Sequence, residues 1–219
     1  MNNFAWNQYN NKKKLILNLI DFNKKHKISY IEKGIYNHIR DIFCLSLMFV
    51  KMLSKNNKIR ILDYGSNALA YANIVNKINC KNISFRIFDP FYNKLNYKLP
   101  LDITFFKDKK ILKNNDWDMV YFGSSLQYID KFNNLKNINF KKTKLIFITH
   151  TPISLMKSYK STQSNHKNLT QYVHSFKEIE SFMTKNKFKL IFKSRNTDKV
   201  IDLNKKQKKT YSLNLLFVR

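Results

Sequence analysis

The sequence predicts an α/β fold, a mostly parallel sheet with helices on both faces behind an N-terminal helical extension. Three observations carry that prediction. Residues 58–71 read KIRILDYGSNALAY: Ile59, Ile61 and Leu62 make a short apolar run, Asp63 closes it and Gly65 follows within two residues. This is the pattern of a buried parallel strand running into a tight turn and a helix. A second apolar run, Ile83–Phe88, comes at the spacing of a β–α–β unit and ends in Asp89. Before Ile59 no strand alternation occurs, and apolar residues fall at helical spacing instead.

In chain order, residues 1–57 read as the helical extension. Leu15, Ile16, Leu19 and Ile20 make one apolar stripe, and Ile35, Ile39, Ile42, Phe43, Leu47, Val50 and Leu53 make another. Trp6 and Tyr9 are expected to pack, with ligand contact the alternative. The turn after Ile59–Tyr64 is where α/β sheets hold nucleotides, because a glycine lets the backbone come close and a helix N-terminus offers free N–H groups. An ordinary strand–turn–helix junction would read the same way. Asp89 at the second strand end can accept from both ribose hydroxyls, or can be a solvated aspartate ahead of Pro90. Residues 91–102 form a polar, aromatic connection. The short strand Ile103–Phe106 is followed by Asp108, either near an adenine or simply solvated among lysines.

Residues 117–129 read WDMVYFGSSLQYI: a buried strand, a glycine break at Gly123, and Ser124 and Ser125 placed to cap a short helix. Ser124, Ser125, Gln127 and Tyr128 gather at the C-terminal end of a central strand, the side on which such sheets bind ligands. They are the best active-site candidates by position. Residues 144–149 form the next buried strand, with His150, Thr151 and Pro152 at its end. A histidine there can act as a general base, and can equally be structural. Residues 151–174 read as a substrate-binding insertion or lid. Ser175 caps the following helix with Glu178 three residues on. Strands at residues 188–192 and 211–218, joined through the lysine-rich stretch 204–209, place an antiparallel strand at the far end of the sheet.

The chain has 219 residues, 41 of them Lys or Arg against 14 Asp or Glu, for a formal charge of +27. Such a charge invites a nucleic-acid reading, but only five of the cations are Arg and they are scattered along the chain. Lys, Asn and Ile are abundant together, the mark of AT-rich codon usage. Nucleic acid therefore stays in view without being favoured. Cys44 and Cys80 lack metal-ligand spacing and read as buried thiols in a reducing cytoplasm. The first residues do not resemble a signal peptide, and the longest apolar run, residues 42–50, is far short of the ~20 needed to cross a membrane. The expectation is a cytoplasmic protein without a membrane span and without a bound metal.

Together the order of elements, Asp63-Tyr64-Gly65-Ser66 and Ser124-Ser125-Leu126-Gln127-Tyr128 resemble the class I S-adenosylmethionine-dependent methyltransferases. The resemblance is nearer to an uncharacterised bacterial family marked by a D-F-G-G loop and an S-S-L-Q-Y segment, with Thr151-Pro152 also in keeping. It implies a Rossmann-like, seven-stranded domain over residues 58–219 and S-adenosylmethionine as cofactor. Asp63, Gly65 and Ser66 would lie beside the methionine part, Asp89 at the ribose, and Ser124–Tyr128 near the sulfonium and the acceptor. The chain departs from that family in the loop, where Ser66-Asn67-Ala68-Leu69-Ala70 stands in place of further glycines, with Asn67 the residue best able to adopt a left-handed backbone. The implied activity is methyl transfer to a small molecule or glycan, with His150 as base and Tyr128 or Gln127 orienting the acceptor. An RNA methyltransferase, or a non-catalytic binding protein that kept the fold, are the alternatives.

Overall fold

The computed structural model describes residues 38–54, 58–65, 82–90, 103–162, 170–195 and 209–219. Trp6, Tyr9, Ser66, the loop to Ala70, Cys80, the connection at 91–102 and the stretch 204–208 lie outside the described residues.

Helix α1 (His38–Leu53) leads into strand β1 (Ile59–Tyr64), followed by β2 (Ile83–Phe88) and β3 (Ile103–Phe106). A short helix α2 (Lys109–Asn114) precedes β4 (Met119–Gly123), and two 3₁₀ turns, Leu126–Tyr128 and Phe132–Asn137, lead to the long strand β5 (Leu145–Ser154). Strands β6 (Tyr159–Thr162) and β7 (Thr170–Ser175), helix α3 (Phe176–Lys185), β8 (Lys189–Arg195) and β9 (Thr210–Val218) complete the order.

The central order is β3-β2-β1-β4-β5, all parallel. Strand β9 continues it antiparallel beside β5, with Leu145 level with Val218, and β8 closes that side against β9. The antiparallel strand is therefore inside the sheet and β8 is the edge, a correction to the expectation from the order of the last two segments. The residues explain it. From Ser212 to Phe217 every side chain of β9 is buried, whereas β8 carries Lys189, Lys193 and Arg195 and is mostly exposed. A two-sided apolar strand needs neighbours on both flanks, and a charged one suits an edge.

The sheet has nine strands among the described residues, two more than the resemblance implies. The added pair is the antiparallel hairpin of β6 and β7, which joins the upper end of β5 where Ile153 is level with His174. Much of the stretch read as an insertion or lid is thus sheet.

Alternation along the strands sends side chains to two cores. One face carries Leu62, Tyr64, Phe88, Val120 and Phe122 beneath Ile179 and Met183 of α3. The other carries Ile61, Phe85, Met119, Tyr121 and Phe147 beneath α1, whose buried Phe43, Leu47 and Val50 keep the predicted helical spacing. Phe43 meets the Tyr121 ring edge-on at 5.1 Å. At the lower end, Asp118 accepts from the Arg60 N–H (2.9 Å) and the Ser54 hydroxyl (3.0 Å), tying α1, β1 and β4 together. Cys44 is half-buried on α1.

Candidate active site

Parallel strands bring their C-terminal ends to one rim, and the registers say which residues meet there. Tyr64 is level with Phe88, and Phe88 with Phe106. The Gly65 N–H donates to the Phe88 carbonyl (2.9 Å) and the Asp89 N–H to the Phe106 carbonyl (2.9 Å), so both ride one step above that row. On the other side of β1, Asp63 is level with Tyr121, and Gly123 is level with Thr149. The Ser124 N–H donates to the Thr149 carbonyl (2.9 Å), which places Ser124 beside His150. Asp63, Gly65, Asp89, Ser124 and His150 therefore share one rim, as the spacing predicted. Asp108 lies at the end of β3 on the same side.

Each position has a local cause. Gly65 turns the chain out of β1 with φ 71°, a left-handed conformation that glycine adopts without the Cβ clash met by other residues. Its N–H continues the sheet ladder, so what the turn offers a ligand is closeness of approach. Asp63 sits one residue inside the end of β1 and is fully buried, and Asp89 is 1% exposed. A ligand reaches these carboxylates only by replacing what covers them. Asp108 is exposed and caps α2, its Oδ1 accepting from the Lys110 N–H at 2.8 Å. Asp108, open between an adenine contact and simple solvation in the sequence, thereby has a definite structural role as a helix cap.

Gly123 is glycine for a different reason. The Tyr121 ring folds along the strand across it, and a Cβ on Gly123 would stand 2.6 Å from the Tyr121 hydroxyl and 2.7 Å from the ring. That hydroxyl is held against the Thr149 hydroxyl at 3.0 Å. On the opposite face the rim rests on an aromatic floor, Tyr64 with Phe88 (5.0 Å) and Phe122 (5.5 Å), and Phe88 with Phe106 (5.5 Å). Burial pushes the Tyr64 phenol up to about 12, so it stays neutral in ordinary buffers.

The serine-rich corner does not cap a helix with its side chains. Ser125 precedes the 3₁₀ turn without a side-chain hydrogen bond to it, and its Oγ has no partner although it is buried. Gln127 donates through Nε2 to the Ser124 hydroxyl (3.0 Å), while its Oε1 is buried and unpartnered. Two orphaned buried oxygens within three residues leave room for donors from a bound molecule, because a buried polar atom without a partner costs about 1–3 kcal/mol. Tyr128 is half-buried at the end of the turn.

His150 lies within β5, not at its end, because β5 runs on to Ser154 in partnership with β9. The pairing with β9 is irregular between Ile148 and Thr151, and His150 takes a left-handed φ of 50° there, its N–H reaching Asn214 Oδ1 at 3.4 Å. Ser124 is left-handed as well, with φ 57°. Two of the four non-glycine residues with positive φ among the described residues are thus neighbours on the rim. Strain of this kind costs on the order of 1–3 kcal/mol and collects at functional sites.

One positioning residue escapes sequence reasoning. His174 on β7 is buried, and its Nε2 donates to the Leu126 carbonyl (3.2 Å), which fixes the tautomer and pins the serine-rich corner from below. The Phe132 ring lies 4.7 Å from it. Burial lowers its pKa, outweighing the opposing pull of the Leu126 and Ile129 carbonyls and of Glu178 and Asp130. Nothing local in TQYVHS marks this histidine, since the contact spans the hairpin.

No protein-family model matches the chain, and no curated protein matches it. Solved structures do. An S-adenosylmethionine-dependent methyltransferase from Methanosarcina mazei superposes with a TM-score of 0.51 at 12% identity, over 78% of this chain and 96% of that one. The 1,6-didemethyltoxoflavin-N1-methyltransferase of Burkholderia thailandensis, solved with 1,6-didemethyltoxoflavin and S-adenosylhomocysteine, gives 0.54 at 9% identity, over 94% and 87%. The chain therefore has the Rossmann-like class I methyltransferase fold.

Proposed function

We propose that the rim is an S-adenosylmethionine site and that the protein is a methyltransferase acting on a small molecule or glycan. One observation carries the reading: Asp63 and the Gly65 turn at the end of β1, Asp89 just after β2, and the Ser124–His150 pair across β4 and β5 converge at one end of a sheet with this fold. The residues fit the cofactor's chemistry. The orphaned Ser125 Oγ and Gln127 Oε1 are acceptors suited to an amine or hydroxyl, and the close turn at Gly65 admits a ligand near the backbone. In this reading Asp63, Gly65 and Ser66 hold the methionine part, Asp89 takes the ribose hydroxyls, and Ser124 and Ser125 line the sulfonium side. Asp108, already the cap of α2, is a lesser contact towards the adenine.

S-adenosylmethionine supplies a methyl group on a positively charged sulfur, ready for in-line displacement. What remains for the protein is placement, which can supply several kcal/mol of acceleration on its own. Gln127, held by its bond to Ser124, and Tyr128 orient an acceptor hydroxyl or amine. His150, half-buried beside Ser124, takes the acceptor's proton. Residues 58–219 form the methyl-transfer domain, with residues 1–57 as its helical extension and the hairpin of β6 and β7 on the acceptor side.

The reading is tested by turnover with the acceptor once found. His150→Ala is expected to lower kcat at least tenfold with little change in cofactor binding, and unchanged turnover removes His150 from the mechanism. Asp89→Asn is expected to weaken cofactor binding instead. A protein that folds but binds no cofactor would be a non-catalytic descendant of the fold.

A further inference from the structure

At the opposite end of the strands from Ser124 and His150 lies a recess of about 650 Å³, lined by residues from α2, the loop after Phe132–Asn137, the end of α3 and the last residue of the chain. Six of its eleven lining residues are cationic: Lys113, Lys136, Lys141, Lys185, Lys187 and Arg219. The lining contains no Asp or Glu, and among the described residues none of the five lysines pairs with a carboxylate. The nearby Asp116 accepts from Lys142 (2.7 Å) and from the lining residue Asn139 (3.2 Å).

The walls are built. Arg219 donates to the Lys141 carbonyl (2.6 Å) on one wall and to the Asn186 carbonyl (2.7 Å) on the other, with its guanidinium 4.6 Å over the Phe188 ring. It fixes the spacing of the two walls and leaves its charge between them. Helix α3 ends in a left-handed Lys187 (φ 65°), with the Phe188 N–H bonded to the Met183 carbonyl (2.9 Å) and the Lys187 N–H to the Thr184 carbonyl (2.9 Å). Glycine or asparagine is usual at such a position. Here a lysine occupies it and stands on the groove. Five exposed ammonium groups around one recess repel each other, and that repulsion is relieved by a multiply charged anion.

We infer that this groove is a second ligand site, for a phosphate-bearing anion carrying several charges. Lysine ammonium groups bind phosphate as point charges, without the planar fork that arginine uses to read a particular shape. The volume suits a compact ligand. The phosphates can come from a free polyphosphate or from successive phosphates of a single-stranded nucleic acid, and the two sources are separable.

The test uses the full chain and two probes, sodium tripolyphosphate by calorimetry and a fluorescein-labelled oligouridylate by anisotropy. Lys136→Gln/Lys185→Gln/Lys187→Gln removes three charges from the groove. Lys131→Gln/Lys157→Gln/Lys177→Gln removes three exposed charges at the other end of the molecule and controls for bulk attraction by the net charge. The groove variant is expected to bind at least tenfold more weakly while the control changes less than threefold, with the salt slope of log K reduced by about two only in the groove variant. Loss confined to the groove variant with tripolyphosphate identifies a compact polyphosphate as sufficient. The same loss seen only with the oligonucleotide assigns the phosphates to a nucleic-acid strand. Equal losses in both variants, or no binding of either probe, overturn the site.

Discussion

At the residue scale the rim is defined by what has no side chain and by what is buried. Gly123 leaves the place its Cβ would take to the Tyr121 ring, which is backed by Thr149 and cannot swing away freely. Gly123→Ala is expected to destabilise by about 1–3 kcal/mol through overpacking. In a double-mutant cycle with Tyr121→Leu most of that cost should disappear, measured by denaturant unfolding. Two titrations follow from burial. The Tyr64 pKa is raised from 10.0 to about 12, so the native state holds its proton where the unfolded chain has lost it. Tyr64 therefore leaves stability unaffected below pH 10 and removes roughly 2–3 kcal/mol between pH 10 and 12, a loss absent from Tyr64→Phe. The His174 pKa is lowered from 6.5, so protonation favours the unfolded chain. Stability should fall as pH drops below 6.5, with the corner at Ser124–Tyr128 loosening with it, and His174→Gln should flatten that acid limb in a pH series of thermal melts.

At the element scale, what was legible depended on whether the signal was local. The capping of α3 was legible because Ser175 and Glu178 are three residues apart. The Glu178 N–H donates to Ser175 Oγ at 3.2 Å as expected, but the return bond runs through a third residue. The Ser175 N–H donates to Ser158 Oγ (2.7 Å), whose hydroxyl donates to Glu178 Oε2 (2.6 Å). Ser175→Ala should cost about 1 kcal/mol and Ser158→Ala should share part of that loss, seen as coupling between the two. Strands β1, β2 and β3 were legible from short apolar runs alone. The edge position of β8 and the end of β5 were not, since both depend on which strand lies beside which. The continuation of β5 through His150 is held by β9, more than fifty residues later in the chain. The left-handed Ser124 and His150 carry no sequence mark either, for neither residue type prefers that conformation strongly enough to be noticed.

At the scale of the whole molecule, the chain carries a formal charge of +27. Six of the 41 cationic residues line a groove at one end of the sheet, while the candidate active site occupies the other end. The groove and the rim where methyl transfer is proposed thus share no residue. Among the described residues no helix is long and apolar enough to cross a membrane. The fold was legible because the sheet's C-terminal rim is written in strand ends, an acid or a glycine closing each of the first four apolar runs. What fills the rim was not, since residues 66–70, which follow the Gly65 turn, carry no further glycine and lie outside the described residues. The most direct measurement is a calorimetric titration of the protein with S-adenosylhomocysteine, run in parallel on Asp89→Asn. Saturable heat with one site per chain, weakened at least tenfold by the substitution, is the predicted result. No heat and no thermal shift at millimolar ligand, from protein that melts cooperatively, would contradict the account.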